Sequence, residues 1–254
     1  MGQLLKILMA SAWLLLGALS AIYSAQAESG VSYPPDDEAW NSTHYDALAQ
    51  RIETGGLALP TLSGAGTKLV FERMVSIDNI PLRVGLNKEI AITLRFQKLE
   101  PVLQPLHRLV TLYSNETHKG KPYATELARL MVYETKAAGT LLDISEPYLA
   151  NLQKDKRYQY HVDNMKQIKS DARQIYIGLV QSMAETKLYS KSDMLKIIGG
   201  ALAELPSYHP IFAEQDRADL NQRLAQQIAK TTDQELKTAL TELRDAIEHR
   251  RIPT

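Results

Sequence analysis

Six histidines and no cysteine bound the side-chain chemistry open to this chain. Thiol catalysis, Cys-ligated zinc and iron–sulfur clusters are excluded outright. Of His44, His107, His118, His161, His209 and His249, only His161 falls on a long apolar stripe. Tyr158 lies three residues before it and Asn164 three after, a spacing that puts all three on one side of a helix. Such a trio could hold a ligand, or the histidine could move a proton. The plainer expectation is that His161 closes the stripe as a hydrogen-bonded boundary residue, since Asp163 points off the stripe and cannot easily orient the ring. Tyr158, His161 and Asn164 are therefore the ligand-binding candidates, and no metal site or cofactor is expected.

The familiar catalytic patterns are missing. There is no H-E-x-x-H or E-x-x-H, which removes the usual helical zinc protease and weighs against carboxylate-bridged di-iron bundles. Neither G-x-S-x-G nor S-x-x-K occurs. Gly64-Ala65-Gly66-Thr67-Lys68 lacks the spacing of a phosphate-binding loop and reads as a flexible turn. Glu126, Glu134 and Glu204 are candidate carboxylates that the sequence alone cannot rank. Eleven tyrosines beyond the first 27 residues are spread over several segments, as core and boundary packing requires. Two N-x-T triplets, at Asn41 and Asn115, are too short to carry weight.

The elements that must position these residues read as helices. From Arg157 to Lys187, His161, Met165, Ile168, Ala172, Ile175 and Leu179 alternate steps of four and three. This is the expected spine. Trp40, His44 or Tyr45, Leu48 and Ile52 mark a first helix ended by Gly55-Gly56. Leu57–Gly66 reads as an exposed or binding loop, and Lys68–Ser76 as a short helix. Residues 86–98 are ambiguous: Ile90, Ile92, Leu94 and Phe96 alternate as in a strand. With no clear partner run nearby, helix is favoured and a β-hairpin is the minority reading.

Pro101 and Pro105 are expected to break the chain, with a helix restarting at Pro105. Ser114–Pro122 reads as a hinge. Ala124–Leu142 is helical, with Ser145 capping a separate short segment. Ser190 and Asp193 start another helix, with a stripe of Met194, Ile198, Ala201 and Leu205 up to Pro206. Gly199-Gly200 inside it, and Gly178 in the spine, suggest close helix packing. Leu220, Leu224, Ala225 and Ile228 follow. A capping box of Thr232 and Glu235 opens the last helix, with Leu236, Leu240, Leu243 and Ile247. The fold class is all-α: an antiparallel bundle or stacked hairpins, less regular in its N-terminal half.

At the N-terminus, Lys6 precedes an apolar core, Ile7 to Ile22, and Ala25 and Ala27 flank Gln26 as in a signal-peptidase site. Residues 1–27 read as a signal peptide cleaved between Ala27 and Glu28, and residues 28–36 as a tether. Residues 37–254 form one helical domain, with a looser half at 37–114 and a bundle half at 122–250. The processed chain would have 254 − 27 = 227 residues, and 28 basic against 29 acidic groups. That balance lacks the basic footprint of a nucleic-acid binder, and no membrane span is expected after cleavage. Absent cysteines tilt an exported chain toward a bacterial periplasmic or secreted protein. The expected function is a non-enzymatic binding or adaptor module of the cell envelope, taking an unknown protein, peptide or small-molecule ligand. The alternative is an envelope hydrolase with acid and base groups gathered from several helices.

Overall fold

A computed structural model describes residues 38–64, 66–80, 88–120, 122–185 and 187–249, with only the backbone for residues 88–91 and 249. The signal segment and tether lie outside the described residues. Helices α1 (Ser42–Glu53), α2 (Lys68–Met74), α3 (Lys88–His118), α4 (Ala124–Asn151), α5 (Tyr158–Ser182), α6 (Lys191–Tyr208), α7 (Glu214–Lys230) and α8 (Gln234–His249) follow in order. Single 3₁₀ turns lie at Ile77–Asn79 and His209–Ile211. There is no strand among the described residues, so the architecture is all-α.

The amphipathic face of α5 is placed as its period demands: Met165, Ile168, Ala172, Tyr176, Leu179 and Val180 are all buried. The centre, however, is α4. It packs against α3, α5 and α6 and buries residues on several faces, among them Ala128, Leu130, Ala137, Ala138 and Leu141. Helix α1 packs on α3, while α8 bridges α6 and α7.

Two expected interruptions do not occur. Helix α3 runs through Pro101 and Pro105 without a break, and its timing is helical from Ile92 onward. Each internal proline removes a backbone hydrogen bond and costs about 3 kcal/mol. Against that, α3 buries Phe96, Leu99, Val102, Leu106, Leu109 and Tyr113, each contributing about 1.5–3 kcal/mol. Packing wins, and the helix carries on to His118, well into the expected hinge. Helix α4 likewise passes through Pro147. Ser145 donates to the Leu142 carbonyl at 2.7 Å instead of accepting a backbone N–H as a cap would. Helix α6 continues two residues past Pro206 to Tyr208.

Caps are local and mostly where the sequence puts them. Asn41 accepts from Thr43 N and His44 N, and His44 Nδ1 accepts from Asn41 N in return, so this histidine is a capping group. Ser190 accepts from Asp193 N. At α8 the cap is Asp233, one residue beyond the expected Thr232: its carboxylate accepts from Glu235 N and Leu236 N at 3.1 Å. A carboxylate there also meets the positive end of the helix dipole.

The N-terminal segment is tied down more firmly than its composition suggests. Asn79 accepts from Trp40 N at 2.8 Å and donates to the Arg73 carbonyl at 2.7 Å and to Tyr45 Oη at 3.2 Å. Tyr45 Oη donates to the Met74 carbonyl at 2.7 Å and lies 3.1 Å from Tyr133 Oη of α4. Residues 57–64 are not a free loop: Leu59 and Pro60 are buried, and Tyr113 donates to the Pro60 carbonyl at 2.6 Å. Leu62 N donates to Glu126 at 2.7 Å, and Gly64 N to Thr61 Oγ1 at 3.0 Å. Among the described residues no helix is long and apolar enough to cross a membrane.

Candidate functional site

Helices α3 and α5 both lean on α4 and leave a cleft of about 360 Å³ between them. From α3 it takes Glu100, Leu103, Gln104 and His107, one side of two helical turns. From α5 it takes Asn164, Gln167, Ile168, Asp171, Gln174 and Ile175, a stripe roughly 16 Å long at 1.5 Å per residue. Four carboxamides can donate and accept, two carboxylates only accept, and three aliphatic side chains supply apolar wall. No lysine or arginine belongs to this lining, whose ionisable side chains are Glu100, Asp171 and His107.

His107 is the group with most chemical potential. Its side chain is 62% exposed, while its Nδ1 lies 2.8 Å from Oε1 of Glu134, which is only 4% exposed. Glu134 reaches it from α4, where the same i, i+3, i+4 spacing that buries Leu127, Leu130 and Leu141 puts this carboxyl on the core face. The hydrogen bond to Glu134 holds the His107 pKa above the usual histidine range, against a smaller opposing effect of burial. Burial pushes the Glu134 carboxyl above its ordinary range, and His107 partly offsets this. The two groups thus compete for one proton along a short, partly desolvated contact. With Nδ1 engaged, Nε2 is the ring atom left for a ligand or a water, as in any histidine steered by a carboxylate.

The other candidates part company. Asn164 lines the cleft. His161 sits beside it along α5 but packs edge-on to Tyr148, with ring centroids 6.0 Å apart and Nδ1 3.4 Å from the tyrosine Oη. Its Nε2 is buried with no hydrogen-bond partner among the described residues. Tyr158 is half-buried and outside the cleft lining. Glu126 accepts from Leu62 N. Glu204 lies at the α4–α6 contact, where burial raises its pKa and Lys136 opposes. His118 bridges the Ser114 carbonyl and Glu185 at an exposed position, and His209 is buried. Among the described residues no three acidic or histidine side chains converge as a metal site would need.

His107 was not distinguished by sequence, because a break expected at Pro105 hid its place in the middle of a long helix. Glu134 did leave a signal, a carboxylate on an apolar stripe. What the fold and the cleft define is an all-α protein with a polar, negatively lined interhelical groove. No protein family, curated protein or solved structure matches the chain.

Proposed function

We propose that this protein is an exported binding module whose α3–α5 cleft takes a saccharide-sized polar ligand, neutral or cationic. The cleft lining carries this reading: Gln104, Asn164, Gln167 and Gln174 offer paired donors and acceptors, and Glu100 and Asp171 repel anions. Its volume is at the small end of ligand sites, about 300–1,000 Å³. Leu103, Ile168 and Ile175 suit the apolar face of a sugar ring or an alkylamine. Export rests on the Lys6–Ile22 segment and the Ala25-Gln26-Ala27 sequence. Calorimetric titration of neutral sugars, amino sugars and polyamines tests the reading. Saturable binding of a member of that panel is expected, weakened by Asn164→Ala and by Asp171→Asn. Binding that survives both substitutions, or none across the panel, refutes it.

A hydrolase acting on envelope polymers is the second reading, favoured by the His107–Glu134 pair. A carboxylate-held imidazole facing a cleft can take a proton from water. Here the acid and base groups come from α3, α4 and α5, as a site gathered from several helices requires. Turnover of a glycan or ester panel that vanishes in His107→Gln, with the far-UV spectrum retained, would select this reading over simple binding.

A further inference from the structure

On the opposite flank of α4, a second hollow of about 360 Å³ has the reverse electrostatic character. Arg129 and Lys136 stand two turns apart on α4, with Val132 between them, and Lys196 faces them from α6. Val75 and Ile77, from the corner after α2, close the remaining side. The approach of the two helices is fixed by Gly200, whose missing Cβ leaves room for Val132. That contact lies one turn beyond Lys196 on α6.

Two of these three charges lack a close counter-charge among the described residues. Arg129 makes no hydrogen bond or ion pair among the described residues, and Lys136 acts on Glu204 only at longer range. Lys196 is paired with Asp193, its Nζ 3.4 Å from Oδ1, while Ser190 and Thr125 donate to the other oxygen, Oδ2. Arg129 and Lys136 therefore face the hollow without a close partner, and an anion placed there would gain from both. Ile77 is 42% exposed, one of few large apolar side chains among the described residues left so open. Cations at the rim and aliphatic carbons in the wall make a site complementary to a charged head on a short apolar body.

We infer that the hollow between α4 and α6 binds small organic anions, a carboxylate or similar headgroup with a short aliphatic tail. The headgroup meets Arg129 and Lys136, and the tail lies on Val75, Ile77 and Val132. Because the lining of this hollow and of the α3–α5 cleft differ in sign, the two take different ligands, and this inference does not depend on the first.

Isothermal titration of the full processed chain with octanoate, octanol and octylammonium is the test. Octanoate should bind saturably at one site, octanol at least roughly tenfold more weakly, and octylammonium not at all, since a charged hydrogen bond carries about that factor. The double variant Arg129→Gln/Lys136→Gln should lose octanoate binding by roughly tenfold or more on the same grounds. Ile77→Asp, at an exposed position, should lose it similarly and decides the matter if the double variant unfolds. Lys237→Gln, on α8, should leave it within about twofold. Absence of saturable octanoate binding, equal binding of octanol, or undiminished binding in either variant overturns the inference. So does binding only to anionic vesicles.

Discussion

Adjacent glycines in α6 should respond to the same substitution with opposite signs. A Cβ built on Gly200 would sit 2.7 Å and 2.9 Å from the two γ carbons of Val132 and 3.3 Å from its Cβ. Carbon atoms in contact prefer about 3.5–4.0 Å. Valine in a helix has one strongly preferred rotamer, so turning the side chain does not clear both methyls. Overpacking of this kind costs about 1–3 kcal/mol, against a helix-propensity gain of about 1 kcal/mol for Gly→Ala. Gly200→Ala should therefore destabilise by up to about 2 kcal/mol. Gly199 has nothing within 4 Å of its Cβ position, so Gly199→Ala should stabilise by about 1 kcal/mol. Urea denaturation followed by circular dichroism reads both, and thermal midpoints should move by about 2–4 °C per kcal/mol. Val132→Ala in the Gly200→Ala background should recover much of the loss, a coupling that marks direct contact. If Gly200→Ala stabilises as much as Gly199→Ala, the α4–α6 packing described above is wrong.

Other expectations follow from particular contacts. Replacing Glu134 with Gln should lower the His107 pKa, because the carboxylate that favours the imidazolium is gone; a proton NMR titration of the ring reads this, and an unchanged value would count against the pair. Both His107 and Glu134 are shifted upward, so each holds its proton more tightly folded than unfolded. Their joint contribution to stability should thus be largest at low pH and decline as pH rises past the ordinary carboxylate range and then past the ordinary histidine range. The double variant His107→Gln/Glu134→Gln should lack that decline in thermal melts. Asn79→Ala removes ties to Trp40, Arg73 and Tyr45 and should cost about 1–3 kcal/mol, with early proteolysis near residues 75–80. Tyr208→Phe removes a buried bond to the Thr135 carbonyl and should cost about 1–2 kcal/mol in urea melts.

What could be read from the sequence was what is written locally. The stripes of α5, α6 and α8 survive into the structure because a single buried face repeats every three or four residues. Gly200 and the Ser190 cap were readable for the same reason, whereas Gly199 and Gly178 have nothing close to their Cβ positions and mark no contact. At Pro101 and Pro105 of α3 the local rule of a break is outweighed by six buried side chains along one long helix. The dominance of α4 was hidden by chemistry: Ala128, Thr135, Ala137, Ala138 and Gly139 are all buried, yet small residues on several faces weaken the periodic signal. The cleft was half legible. Asn164 was singled out and lines it, but His107 meets Glu134 across 27 positions of chain, a pairing no local period reveals.

Because α4 collects α3, α5 and α6 around itself, and even Tyr45 of α1 finds Tyr133 there, the segment carrying α1 to α3 lacks, despite its own internal ties, the partner that covers the long buried face of α3. A chain threading out from its N-terminus would hold α1 through α3 unsettled until residues 124–151 emerged. Truncation before that point should leave a fragment without cooperative melting, and any factor meeting the nascent chain would find those segments open.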